Sequence, residues 1–187
     1  MAEDLINIQD SNPFLTSKVI KKENASPCRV LFFYPNERGM STIPPSIAVL
    51  SQILKDEGHV TGLFDTTFYK FDDEISIEDS DKVKSDSLEN RPILERDDDD
   101  LHFKKTTNSA IEDFRKAVDN FKPDLIAISC TETTFLRAIK MIDATKDLGI
   151  KNIFGGVFPT FAPDLVLSYP NVNMECVGEG ENALIDL

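Results

Sequence analysis

The chain has 187 residues, enough for one domain with an appendage and a sizeable core, and 41% of them are hydrophobic, an ordinary globular fraction. Its net charge of −13 excludes nucleic acid as a partner, because a phosphate backbone would be repelled. Cys28, Cys130 and Cys176 form no CxxC and no zinc spacing, and no segment approaches the roughly 18 apolar residues of a membrane span, which argues against a disulfide framework, a zinc site and a membrane protein. Residues 1–12 are acidic and lack the basic start and apolar stretch of a signal peptide. With two of the cysteines embedded in apolar runs, the expectation is a cytoplasmic protein with reduced thiols.

Residues 1–26 are polar and without sustained period, and read as an N-terminal arm. Cys28 to Tyr34 is a continuous apolar run ending at Pro35-Asn36, the pattern of a buried central strand followed by a loop. Pro44 and Pro45 suit the first turn of a helix, with Ile47, Leu50 and Leu54 at helical spacing and Gly58 as its stop. His59 to Asp65 is the second strand. Between Lys70 and Asp100 stand thirteen acids and five bases, ending in the run Asp97 to Asp100. Residues 70–105 therefore read as an acidic, mobile insertion, since such a stretch buries too little apolar surface to offset ordering.

Order resumes at Ser109-Ala110-Ile111-Glu112, a capping-box pattern opening a helix marked by Ile111, Phe114, Val118 and Phe121. Leu125 to Ser129 is the third strand. A helix carrying Phe135, Ile139, Ile142 and Leu148 follows, stopped by Gly149. Ile150 to Phe154 is the fourth strand and Met174 to Val177 the fifth. Strands and helices alternate with no hairpin signal, which predicts an α/β fold with a doubly wound, five-stranded parallel sheet of the Rossmann-like or flavodoxin-like kind.

Every candidate site lies in a turn after a strand, and this topology brings such turns to one rim. The loop from Pro35 to Thr42 follows the first strand. Ser129, Thr131 and Thr133 follow the third, where a helix start adds backbone donors. Gly155-Gly156-Val157-Phe158-Pro159-Thr160 follows the fourth, and Gly178-Glu179-Gly180-Glu181 the fifth. Glycines there let backbone lie against something large. The alternative is ordinary strand-to-helix punctuation. Glu179 and Glu181 suit either a ligand contact or a helix start, where carboxylates are favoured. His59 opens a strand at the far edge and reads as structural. The rim has no nucleophile and base pair. The first loop lacks GxGxxG, and no Walker loop, phospho-acceptor aspartate or flavodoxin-type phosphate loop is present.

Taken together, Val30 to Asn36, the helix opened by Pro44-Pro45, Pro123 to Ser129, the Gly155-to-Thr160 turn and Gly178-Glu179-Gly180-Glu181 resemble the cobalamin-binding domain at the N-terminus of cobalamin-dependent radical SAM proteins. The resemblance covers residues 27–187 apart from the acidic insertion. It implies that cobalamin lies on the carboxyl edge of the sheet with its nucleotide tail beside the third, fourth and fifth strands. The implied contacts are Asn36, Glu37, Arg38, Gly39 and Met40 under the ring; Ser129, Thr131, Glu132 and Thr133 at the tail or lower ring face; Gly155, Gly156, Val157, Pro159 and Thr160 along the tail; and Gly178, Glu179 and Gly180 on its other side. Gly156→Val is then expected to block uptake at modest folding cost.

Two departures narrow the resemblance. The histidine of the DxHxxG pattern, which ligates cobalt in methionine-synthase-like domains, is absent from the first loop. No CxxxCxxC is present to hold a four-iron cluster. The expectation is a cofactor-carrying module that is not catalytic alone. S-adenosylmethionine, the cluster and methyl transfer or related radical chemistry would belong to a catalytic barrel outside this chain, joined in cis or in trans. Two alternatives stand beside it: a regulatory or scaffold domain acting through its acidic insertion without the cofactor, and a small α/β enzyme with another nucleotide ligand.

Overall fold

The computed structural model describes residues 26–36, 44–69, 106 and 108–186. The arm up to residue 25, residues 37–43 and the acidic insertion 70–105 lie outside the described residues.

Five strands form one sheet: β1 (Arg29–Tyr34), β2 (Val60–Asp65), β3 (Leu125–Ser129), β4 (Lys151–Gly155) and β5 (Met174–Glu175). Their order is β2-β1-β3-β4-β5 and every pairing is parallel. The chain runs outward from β1 to β2, then returns to the other side of β1 for β3. The direction of winding therefore reverses between β1 and β3, and a crevice opens outside their carboxyl ends.

Among the described residues the helices are α1 (Pro45–Asp56), α2 (Ala110–Phe121), α3 (Glu132–Asp143), α4 (Val157–Phe161), α5 (Pro163–Leu167) and α6 (Gly180–Asp186). Pro45 sits in the first turn of α1, where its missing N–H costs nothing. Ser109 caps α2, its side chain accepting from the Glu112 N–H at 3.4 Å. His59 is structural, as expected: its Nδ1 accepts the Cys28 N–H at 3.0 Å and ties the chain ahead of β1 to that ahead of β2.

Alternation along the strands sorts the apolar residues onto two unequal faces. On one, Leu31, Phe33, Ile126, Ile128 and Phe154 pack with α2 and α3 in a cluster of seventeen buried residues. Phe33 and Phe114 rings lie 4.7 Å apart there. On the other, among the described residues, Val30, Phe32, Leu125, Ala127 and Ile153 pack with Ile47 and Leu54 of α1 in a cluster of seven, against which Leu184 of α6 leans. Two twelve-residue helices cover the first face. Among the described residues, one twelve-residue helix and the short α6 cover the second. The thin face leaves room for a cavity.

Three boundaries differ from the sequence reading. α3 stops at Asp143 rather than running on to Gly149. Buried Thr145 donates its hydroxyl to the Ile142 carbonyl at 3.1 Å, which diverts the chain into a short 3-10 turn, Lys146–Leu148. Leu148 is therefore off the helix and exposed. β4 is shifted by one residue and includes Gly155, which pairs with Ser129. β5 has two ladder residues rather than four; the Cys176 N–H still reaches the Phe154 carbonyl at 2.8 Å, and then Gly178, at φ +84°, turns the chain away.

Candidate functional site

A cavity of about 370 Å³ opens on the thin face at the carboxyl edge. Its floor is two rows of the sheet. The outer row is Ser129, Gly155 and Cys176; the inner row is Phe32, Ala127 and Ile153, in mutual register. Its roof is the first turns of α1, from Ser46 to Leu50, and of α6, from Gly180 to Leu184. Both helices begin at the carboxyl edge, so Ser46 and Gly180 stand at the mouth and Leu50 and Leu184 a turn deeper. The mouth is edged by Gly156, Val157, Thr160, Phe161, Gly178, Glu179 and Glu181.

The glycines of the rim do different things. A Cβ on Gly155 would meet only Cys176 Cβ and the Ile128 carbonyl, both at 3.8 Å, an ordinary contact. One on Gly180 would touch the Leu50 methyls at 3.4 Å. Side chains at these two positions would fill the cavity rather than break the backbone. Gly156 is another case. Its φ is +100°, and a Cβ would stand 2.9 Å from the Cys130 carbonyl oxygen. The expectation that Gly156→Val costs folding little is thus corrected: this glycine is demanded by the fold, because backbone crosses backbone there.

Thr160 is the bond between the two glycine turns. Its hydroxyl donates to the Gly156 carbonyl at 2.8 Å and accepts the Gly178 N–H at 3.1 Å. The turns after β4 and β5 are stapled by one side chain, which sets how far apart the cavity's edges stand.

Of the other residues expected at the site, Ser129, Val157, Glu179 and Gly180 also line the cavity. Pro159 is buried beneath the α4 turn. Thr131, Glu132 and Thr133 open α3, which packs against the opposite face, and they do not line the cavity. Thr131 and Thr133 share a hydrogen bond at 3.0 Å, and the Thr131 N–H is taken by Thr134 Oγ1 at 3.0 Å. Asn36 is buried away from the cavity. Its Nδ2 donates to Thr67 Oγ1 and its carbonyl accepts from Thr66 Oγ1, both at 2.9 Å, which ties the β1 loop to the β2 loop. Glu37, Arg38, Gly39 and Met40 lie outside the described residues.

The inner row, and the roof apart from Gly180, were missed by the sequence reading. Strand alternation puts Phe32, Ala127 and Ile153 on one face, but nothing in one dimension says that this face is thinly covered. Cys176 was likewise passed over. Burial pushes its thiol pKa up, and the Glu181 and Glu179 carboxylates add to the shift. Cys130 is buried and pushed to about 12 by desolvation, which leaves it a small inert hydrophobe. Burial, then Asp164, raises the Glu175 carboxyl on the sheet edge.

The lining is mostly apolar inside, with hydroxyls, carboxylates and turn N–H groups near the mouth. Such a cavity can hold the flat apolar part of a ligand and hydrogen-bond its polar neck. Among the described residues no three metal-ligating side chains cluster, and no helix is long and apolar enough to cross a membrane.

The sequence matches the family model for the B12 binding domain over residues 93–187. No curated protein matches it. The fold is similar to two structures of TsrM from Kitasatospora setae, a radical S-adenosylmethionine methyltransferase. One, with tryptophan substrate and the SAM analogue aza-SAM bound, has TM-score 0.57 and 16% identity over 85% of this chain and 24% of that chain. The other, with cobalamin and a 4Fe–4S cluster bound, has TM-score 0.58 and 16% identity over 86% and 26%. The chain thus spans about a quarter of the length of the structures it matches.

Proposed function

The chain belongs to the B12-binding domain family, and from that premise we propose that it carries cobalamin for a radical SAM enzyme. The observation that carries the reading is the cavity on the thin face, opened by residues without bulk beneath two stapled glycine turns. Its volume lies within the range of small-molecule sites, about 300–1,000 Å³. The residues present fit the group: a Cβ at Gly155 or Gly180 would occupy space that the lower nucleotide needs.

In this reading the lower base enters between α1 and the sheet. Ser129, Gly155, Gly156 and Val157 flank the nucleotide on one side. Gly178, Glu179 and Gly180 close the other, and Thr160 holds the two sides at a fixed width. A corrin ring would cover the carboxyl edge, where Phe161 is 83% exposed and Val157 and Val177 are also uncovered. Such an apolar rim suits a broad flat ligand, with a catalytic barrel beyond it in cis or in trans. When bound, cobalamin would supply the chemistry for methyl transfer or a related radical reaction. This chain's own residues bind it, orient it and keep water from its base. The likeness to the cobalamin-bound TsrM structure supports the radical SAM setting.

Mixing the purified protein with hydroxocobalamin and desalting it tests the reading directly. The expected result is a coloured protein fraction with about one corrinoid per chain. A colourless protein fraction at micromolar ligand would leave a cofactor-free scaffold domain as the better account.

A further inference from the structure

The cavity is not uniform along its depth, and the gradient says which lower base it takes. In the inner row Phe32 pairs with Ala127 and Ala127 with Ile153, so the floor there is three apolar side chains. Above them Leu50 and Leu184 come down from α1 and α6. Deeper still, Val30, Leu125 and Leu54 close the layer and are buried. The polar side chains of the lining are all nearer the mouth. Ser129 lies two residues further along β3, Ser46 is in the first turn of α1, and Thr160, Glu179 and Glu181 are on the rim.

From this placement, and on the reading of the site as a cobalamin carrier, we propose that the inner end selects an apolar benzimidazole as the lower base and rejects a purine. Ala127 is the residue that decides it. A dimethylbenzimidazole presents carbon edges to the inner row. An adenine presents ring nitrogens and an exocyclic amine, which there meet no side-chain donor or acceptor among the described residues and lose their hydrogen bonds to water. Leaving buried polar groups unpaired in this way is worth about tenfold to hundredfold in affinity. The small Cβ of Ala127, between Phe32 and Ile153, leaves the base its space; a hydroxyl at that position would offer the missing partner.

The test measures dissociation constants of the intact protein for three corrinoids by fluorescence quenching or equilibrium dialysis. They are hydroxocobalamin, the same corrinoid with adenine as lower base, and cobinamide, which has no base. Hydroxocobalamin is expected to bind at least about tenfold tighter than the adenine form, and both tighter than cobinamide. Ala127→Ser is expected to narrow the ratio between the two base-bearing corrinoids by about tenfold, mainly through tighter binding of the adenine form. Equal affinity of the wild-type protein for those two, or cobinamide binding as tightly as hydroxocobalamin, would overturn the proposal while leaving corrinoid carriage intact. No binding of any of the three would instead remove the carrier reading on which the proposal rests. The wild-type ratio decides the base selectivity even where Ala127→Ser folds poorly, and a well-folded Ala127→Ser protein that keeps the wild-type ratio would overturn the part given to Ala127.

Discussion

Gly155 and Gly156 are neighbours in sequence, yet the structure asks different things of them. Gly155 is a ladder residue whose missing side chain leaves space in the cavity. Gly156 has a positive φ and no room for a Cβ beside Cys130. Substitution should separate the two roles. Gly155→Val puts a strand-compatible side chain where the nucleotide would lie, and should weaken hydroxocobalamin binding at least about tenfold while moving the urea midpoint little. Gly156→Ala should lower stability by on the order of 1–3 kcal/mol, because the left-handed backbone is strained for any residue with a Cβ. A Gly156→Ala protein with the wild-type midpoint, or undiminished binding by Gly155→Val, would contradict these assignments. Thr160 belongs to the same scale. Its hydroxyl is consumed within the protein on both its donor and acceptor sides, so its part is to position the turns.

Among elements, the two faces of the sheet divide the labour. α2 and α3 bury the thick core and supply stability. α1 and α6 roof the thin face and shape the site. A lesion in α2 should therefore touch stability and spare binding. Ser109→Ala removes the side-chain acceptor for the Glu112 N–H and should cost about 1 kcal/mol, read as a lower urea midpoint. Hydroxocobalamin affinity should stay within about twofold of wild type, measured under native conditions. A large loss of affinity would mean that the two faces are coupled more tightly than their separate clusters indicate. Thr145 makes the converse point: one hydroxyl at the end of α3 ends a helix that apolar spacing alone would extend to Gly149.

For the whole molecule, the thin face, with seven clustered core residues among the described ones, is where a ligand would add most packing. A ligand that binds only the native state stabilises it by mass action, about 2.7 kcal/mol at a hundred times its Kd. For a domain of this size that corresponds to a rise in Tm of roughly 5–10 °C. Calorimetry with and without excess hydroxocobalamin should show the rise in the wild-type protein and lose most of it in Gly155→Val. An unchanged Tm in the wild-type protein would mean that the native state gains nothing from the corrinoid.

Much of this was readable from residue order alone. Apolar runs alternating with helical spacing define five parallel strands and their helices, because burial on both faces demands continuous hydrophobicity in a strand. Gly156 and Gly178, after β4 and β5, mark the carboxyl edge, because their positive φ favours glycine in the turns made there. What residue order could not carry is how completely each face is covered. That depends on which helices pack where and how long they are once folded, and it placed the cavity against Phe32, Ala127 and Ile153 rather than against Thr131 and Thr133. The division of Gly155 from Gly156, and the staple at Thr160, were likewise decided only by tertiary structure. They arise where segments 18 to 27 residues apart in sequence come within hydrogen-bonding or van der Waals reach, a distance that no local pattern encodes.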